Sequence, residues 1–573
     1  MRSSPDWKLL SKAAAALCSS LNPRLLHPEP LVSIAPNCHF GYRHSVTSVP
    51  QSAAVRPEVS ARANPSFFAD GIGIAAAFAL IGFLMQMLTN AGYGYFRDEL
   101  YFIATSDHLA WGYVDFAPLS SWLLRGSRTL FGTSPHALRL LPALCFAGLI
   151  LLTGFLTREL GGKRFASFLA CGSVLLAPAF LGEMTRYSMN AFEPLYWMGS
   201  VYLLLIAANR NRPKLLLWCG VLLGLGIENK HSTIFFIAAL VAGLALTRYR
   251  VLLRSKWFWG AVAITVLLAM PNFLWQVRHG FPTYVDLSNV KRTHKNIELP
   301  PLPFLKQQIM RFNPLSGIVW IAGLAFLLFH HDGKRYRVLG ATYLLFLAIM
   351  MALKAKDYYL SPIYPMLFAA GGVFWEAITR EKRRLLWVRY ALPLAIFSLG
   401  IALLPFTLPI LPIDQVLPYQ AKLGGNTSKT EVGQTGAALQ QDFSDEIGWP
   451  EMVRAVASVY NSLPPEVRAK TGILAGNYGE AGAIDLFGPQ YGLPKSISAH
   501  QNYYYWGPRD YTGENLILLQ WDRRSVERWC KTYNEGPTLN TPWSMPEEHY
   551  TIWICHGFKM PLAQAWDRLK HWN

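Results

Sequence analysis

Long apolar runs separated by basic loops leave this chain little choice of fold. Lipid offers the backbone no hydrogen-bond partner, so a run that crosses it must be helical. Scanning for runs of about 18 residues, the length that spans a bilayer core, gives about eleven candidates. They are Phe67–Leu88, Leu138–Leu156, Phe165–Leu181, Phe192–Ala208, Leu215–Ile227, Ile234–Leu246, Phe258–Trp275, Leu315–Phe329, Val338–Leu353, Ile363–Ile378 and Trp387–Leu408. Several fall short of a full span, and the two that flank Asn229, Lys230 and His231 could form one re-entrant unit. Composition agrees: 52% of the 573 residues are hydrophobic and only 15% are charged. A soluble domain carries about a quarter charged residues, so a soluble multidomain protein is excluded, as is a disordered chain.

The basic residues orient the runs. Arg158, Lys163 and Arg164 follow the second, and Arg210, Arg212 and Lys214 the fourth. Arg248, Arg250, Arg254 and Lys256 follow the sixth, Lys334, Arg335 and Arg337 the eighth, and Arg380, Lys382, Arg383, Arg384 and Arg389 the tenth. Basic loops stay on the cytoplasmic side. The odd-numbered exits, and everything after the eleventh run, then face outward. The net charge of +18 is thereby explained without nucleic acid as a partner.

Three substantial pieces lie outside: the loop Thr89–His136, the loop Val277–Met310, and the tail from Pro409 to Asn573. The tail has mixed polarity and reads as a small extracytoplasmic α/β domain, about the usual domain size. Between 67 and 408 lies the transmembrane domain. Residues 1–66 are rich in Pro, Ser and Ala and poor in acids. They read as a disordered cytoplasmic tail or a start placed too far upstream, although an organellar transit peptide has similar composition. Cys145, Cys171 and Cys219 fall in apolar runs as small core residues. Cys530 and Cys555 share the outer domain, where an oxidising compartment would permit a disulfide.

Against this background the informative residues are polar ones at outer helix ends. After the first run come Arg97, Asp98, Glu99 and Tyr101, two adjacent carboxylates among aromatics. A carboxylate near the membrane surface can act as a general base, because low-dielectric surroundings raise its pKa. The plainer alternative is an ion pair with Arg97 that pins the loop. Between the third and fourth runs, Asn190 precedes Glu193 by about one helical turn, so both can face one cavity. An acid at that depth needs a partner or a function, and Arg186 is the expected partner. Glu228, Asn229, Lys230 and His231 form a further polar knot. At the outer end of the ninth run stand Lys354, Lys356, Asp357, Tyr358 and Tyr359. Two lysines outside break the positive-inside trend, and a lipid-linked phosphate would explain them; a headgroup anchor is the alternative. There is no CxxC pair and no metal-ligand cluster.

Three features recur together in a known family: Asp98-Glu99 after the first span, a polar loop after the third, and Lys-x-x-Tyr-Tyr-Leu-x-Pro before a late span. Over Phe67 to Leu408 the chain resembles the dolichyl-phosphate-mannose–protein mannosyltransferase superfamily, glycosyltransferase family 39 with its bacterial relatives, the lipid A aminoarabinose transferases included. The resemblance implies a polytopic α-helical type C glycosyltransferase fold. It implies an inverting enzyme with a polyprenyl-phosphate sugar as donor and a lipid, protein or glycan as acceptor, without cofactor or metal. By matching position Asp98 would be the catalytic base. Glu99, with Arg97, Tyr101, Asn190 and Glu193, would shape the substrate site. Lys356, with Lys230, Lys354, Tyr358 and Tyr359, would contact the donor phosphate. Many relatives carry Asp where this chain has Asn190, so Glu193 either replaces that acid or the acid is dispensable. The expected location is a bacterial inner membrane with the C-terminal domain periplasmic. A transporter or lipid flippase is the rival class, but transporters show internal repeats, and none is evident here.

Overall fold

The computed structural model describes residues 71–424, 431 and 436–572. The expected N-terminal tail, 1–66, lies outside the described residues. Each apolar run forms a helix. The first is α1 (Ile72–Thr89), and the first outer loop then folds into α2 (Arg97–Asp107) and α3 (Leu119–Phe131). The chain continues through α4 (Leu140–Glu159), α5 (Arg164–Leu175), α6 (Met189–Asn209), α7 (Leu215–Asn229), α8 (Thr233–Ala245) and α9 (Lys256–Arg278). The second outer loop contributes α10 (Pro282–Arg292) and α11 (Pro301–Met310), and the bundle closes with α12 (Gly317–Phe329), α13 (Arg337–Ala352), α14 (Tyr364–Glu381) and α15 (Val388–Leu403).

Among the described residues, six helices are long and apolar enough to cross a membrane, or up to eight if each of two bent pairs is one span. The bent pairs are α8 with the 3-10 helix Arg248–Arg254, at 110°, and α11 with Pro314–Phe329, at 102°. α5 and α7 are shorter, at 12 and 15 residues. The shortening has local causes. Pro178 cannot continue α5, and it opens a six-residue helix, Pro178–Glu183, where its missing N–H costs nothing. Lys230 turns to extended backbone at the end of α7, so the break at Asn229–Ser232 separates two helices. α9 is the most exposed of these six, with only 11% of its apolar window buried. α12 and α14 instead cross so closely that a Cβ on Gly323 would strike the Leu367 carbonyl and one on Gly371 the Val319 carbonyl; small residues are what allow such contact in lipid.

Beyond α16 (Ile413–Lys422), the chain builds α17 (Trp449–Ser462), strand β1 (Thr471–Leu474), α18 (Tyr478–Phe487) and strands β2 (Asn515–Leu518), β3 (Cys530–Thr538) and β4 (Thr551–Phe558). The four strands form one sheet in the order β1-β2-β4-β3, with β1 and β2 parallel and the other pairs antiparallel. Cys530 and Cys555 are joined by a disulfide across β3 and β4, with Cα atoms 5.6 Å apart. This α/β region does not stand apart from the loops. Leu100, Phe102 and Ile103 of α2 share one apolar core with Val453, Ile473, Ile484 and Ile517. Gln501 donates to Asp286 at 2.9 Å, and Asn289 to the Trp572 carbonyl at 2.8 Å, so α10 is clasped as well.

Candidate active site

Where the two outer loops meet the helix ends, a cavity of about 840 Å³ opens. Its polar lining includes Asp98, Glu183, Asn190, Arg311, Lys356, Tyr358 and Glu431, and its apolar flank is Met310, Leu399, Leu403 and Phe406. The site therefore offers charge on one side and an aliphatic wall from α15 on the other.

Asp98 and Glu99 reach opposite surroundings because consecutive helix residues are about 100° apart around the axis. Both occupy the first turn of α2, where the helix dipole favours carboxylates. Asp98 faces the cavity, and its Oδ1 accepts a hydrogen bond from the Tyr478 hydroxyl at 2.7 Å. Glu99 is turned inward and fully buried. It accepts from Arg139 Nε at 2.8 Å and Nη2 at 2.6 Å, from the Phe96 amide at 2.9 Å and from the Tyr187 amide at 2.7 Å. The structure thus does not bring Glu99 to the cavity; its lone pairs hold α2 against α4 and the start of α6.

Arg97 is also drawn away. Its guanidinium pairs with Glu547 and lies 3.5 Å from Asp445, both from the C-terminal region. It therefore pairs with neither Asp98 nor Glu99, and it ties the α/β region to α2. Tyr101 is buried, donates to Asp115 at 3.1 Å and stacks on Tyr478 with ring centres 4.5 Å apart. It supports the hydroxyl that meets Asp98 without lining the cavity.

The second polar knot closes on itself. Lys230 Nζ donates to Asn190 at 2.8 Å and to Glu193 at 3.1 Å, and lies 4.3 Å from the Tyr359 ring centre and 5.4 Å from that of Tyr358. Ser232 completes the group by donating to Glu193. The partner of Glu193 is thus Lys230 and not Arg186, a correction with a clear cause. Arg186 pairs at 2.7 Å with Glu446, a residue of the α/β region far along the chain. Of this group, Asn190 and Tyr358 line the cavity.

The two outer lysines separate. Lys356 lines the cavity with its Nζ 2.8 Å from Glu431. Burial would raise the Glu431 carboxyl, but Lys356, helped by Lys295 and Arg97, pulls it down to about 2. Lys354 points elsewhere, exposed and paired with Glu298 at 2.7 Å. The structure does not place it with Lys356.

Some site residues were not singled out from the sequence. Arg311 lines the cavity at the end of α11 and pairs with Asp357 at 2.7 Å. A cation at an outer helix end, against the positive-inside trend, was its available signal. Glu183 faces the same space and accepts from Ser361 at 2.9 Å. Tyr478 touches Asp98 from 380 positions away; its segment, Gly476 to Gly482, resembles the tails of bacterial family members, but nothing local pointed to Asp98. Among the described residues no group of three or more His, Cys, Asp or Glu could hold a metal ion.

Comparison with known proteins agrees with this architecture. Residues 115–275 match the family described as dolichyl-phosphate-mannose-protein mannosyltransferase. A lipid A galacturonosyltransferase, RgtD, from Rhizobium johnstonii is 25% identical over 217 residues, 36% of this chain and 44% of the relative. The chain thus matches less than half the length of that relative. ArnT from Cupriavidus metallidurans bound to undecaprenyl phosphate shares the fold at a TM-score of 0.54 and 14% identity, over 84% of this chain and 98% of that one. The same protein in its apo state gives 0.52 and 12%, over 84% and 97%. By sequence the chain is similar to the dolichyl-phosphate-mannose-protein mannosyltransferase family over residues 115–275, and over most of its length it shares the fold of ArnT.

Proposed function

We propose that the protein is a membrane glycosyltransferase that moves a sugar from a polyprenyl-phosphate donor to a lipid, protein or glycan acceptor, with Asp98 as the general base. One observation carries the reading: Asp98 shares a cavity with Lys356 and Arg311, and that cavity has an aliphatic flank. A lipid-linked phosphosugar needs those features together, namely a wall for the polyprenyl chain, cations for the phosphate and a base on the acceptor side. The related fold that is known bound to undecaprenyl phosphate supports the same class of donor.

In the proposed reaction the Tyr478 hydroxyl occupies Asp98 Oδ1 and leaves Oδ2 to take the acceptor proton. The acceptor oxygen attacks the anomeric carbon in line, the bond to the phosphate oxygen breaks, and the configuration inverts. Negative charge grows on the departing polyprenyl phosphate, where Lys356 and Arg311 stabilise it. Glu431 holds Lys356 until the donor phosphate displaces it. Glu99, Arg97 and Tyr101 act as positioning residues around α2, and Lys230 with Glu193 braces Asn190 and Tyr358. The C-terminal region faces the periplasm of a bacterial inner membrane, and the N-terminus is cytoplasmic.

The test is an assay of purified, reconstituted protein with a panel of polyprenyl-phosphate sugars, reading released polyprenyl phosphate. Asp98→Asn should abolish release while the protein inserts and folds as before. Full activity in that variant would remove the base assignment. No release from the wild type with any donor would favour the transporter or flippase class.

A further inference from the structure

A second cavity, of about 720 Å³, lies wholly within the α/β region. It opens at the carboxyl ends of the parallel strands β1 and β2, its walls formed by Leu474 at the end of one and Gly476 after it, and by Gln520 and Trp521 after the other. Crevices at the carboxyl ends of parallel strands are where open α/β sheets bind ligands, and the volume falls within the usual range for such sites, about 300–1,000 Å³.

The lining has a definite chemistry. Arg528, Lys559 and Arg568 bring three cations, and all three are exposed to solvent. The acid beside them, Asp522, is engaged as a helix cap: its carboxylate accepts from the Ser525 amide at 2.9 Å and the Ser525 hydroxyl at 2.8 Å. Trp521 and Trp529 add flat apolar faces, Trp529 fixed by stacking on Phe558 at 5.4 Å. Excess positive charge beside fixed indole rings matches a ligand with a ring face and an anionic substituent.

The cavity is also joined to Asp98. His571 on its wall lies 2.9 Å from the Gly476 carbonyl. Its ring stacks on His500 at 4.6 Å, His500 on Tyr478 at 5.0 Å, and Tyr478 on Tyr101 at 4.5 Å. Two residues after Gly476 stands Tyr478, the hydroxyl donor to Asp98.

We infer that this cavity is a binding site for an acidic saccharide, with the sugar ring on the tryptophans and its carboxylate or phosphate on Arg528, Lys559 and Arg568. Its link to Asp98 makes it an acceptor-side subsite, and that second step rests on the proposed transferase activity.

Calorimetry on the full-length protein, without donor, tests the site. The probes are a galacturonic acid trimer, its neutral methyl ester, and inorganic phosphate. The trimer should bind, and the ester about tenfold or more weakly, since a charge-assisted hydrogen bond is worth roughly that factor. The variant R528A/R568A should lose trimer binding by a similar factor or more, with its thermal unfolding unchanged. Equal binding of trimer and ester, phosphate as tight as the trimer, or an unaffected variant would each overturn the saccharide site. In the transfer assay, the trimer should alter polyprenyl phosphate release by the wild type and not by R528A/R568A. An equal response in both would overturn the acceptor-side assignment. Absence of release with every donor would sink the transferase reading while calorimetry still judges the cavity.

Discussion

The two polar knots differ in where their paired charges lie. In the Asn190–Glu193–Lys230 knot the ammonium is shared between an amide and a carboxylate and capped by two aromatic rings, with Lys230 and Glu193 both buried. Asp98, Lys356 and Arg311 instead line an open cavity, where among the described residues Asp98 meets Tyr478, Lys356 meets Glu431 and Arg311 meets Asp357. A cluster buried away from the cavity braces helices; one on the cavity wall can meet a substrate. The same contrast separates the neighbours Asp98 and Glu99.

The strongest way to break this contrast is to neutralise each carboxylate in turn. Asp98→Asn should lower turnover by about 10²–10⁴-fold, the usual contribution of a general base, with the melting curve unchanged. Glu99→Gln should do the opposite and act on stability first. It weakens the partner of Arg139, and breaking a buried pair costs about 3–5 kcal/mol, read as a lower unfolding midpoint. If Glu99→Gln were as stable as the wild type but inactive, the contrast between the neighbours would fail.

Tyr478→Phe sharpens the Asp98 side. It removes one hydrogen bond to a carboxylate, worth about 1.5–3 kcal/mol, so kcat should fall by about ten- to a hundredfold with KM for the donor nearly unchanged. A change confined to KM would place Tyr478 in binding instead. The lysines form a smaller pair. Lys356→Ala should reduce kcat/KM for the donor by about tenfold or more, as expected for a charge-assisted phosphate contact. Lys354→Ala removes only an exposed ion pair with Glu298 and should leave activity and the melting curve unchanged.

The mildest effect concerns pH. The Glu431 carboxyl is held down at about 2 by Lys356. Its folded pKa lies below its unfolded one, so the stability it contributes is complete above pH about 4.5 and is lost as pH falls towards 2. The difference in unfolding midpoint between wild type and Glu431→Gln should therefore be constant from pH 5 to 8 and shrink on acidification. A difference that grew on acidification would contradict the Lys356–Glu431 pairing.

The sequence by itself determined the membrane bundle and the neighbourhood of the site. Apolar length and loop charge are local properties, and a bilayer acts on each run separately, so the runs mark helices whatever their neighbours do. Asp98, Asn190, Lys356 and Tyr358 were legible because a polar group at an outer helix end conflicts with that pattern, and all four line one cavity. The roles of Glu99, Arg97 and Lys354 were not legible, since each depends on a partner brought from elsewhere: Arg139, Glu547 and Glu298. Spans such as α5 and α7 are short because prolines and polar turns near the site interrupt them. Only the tertiary structure decided that the C-terminal region shares its core with α2 and delivers Tyr478 to Asp98. Apolar burial and hydrogen bonds between segments hundreds of residues apart leave no periodicity in either one, and folding alone brings them together.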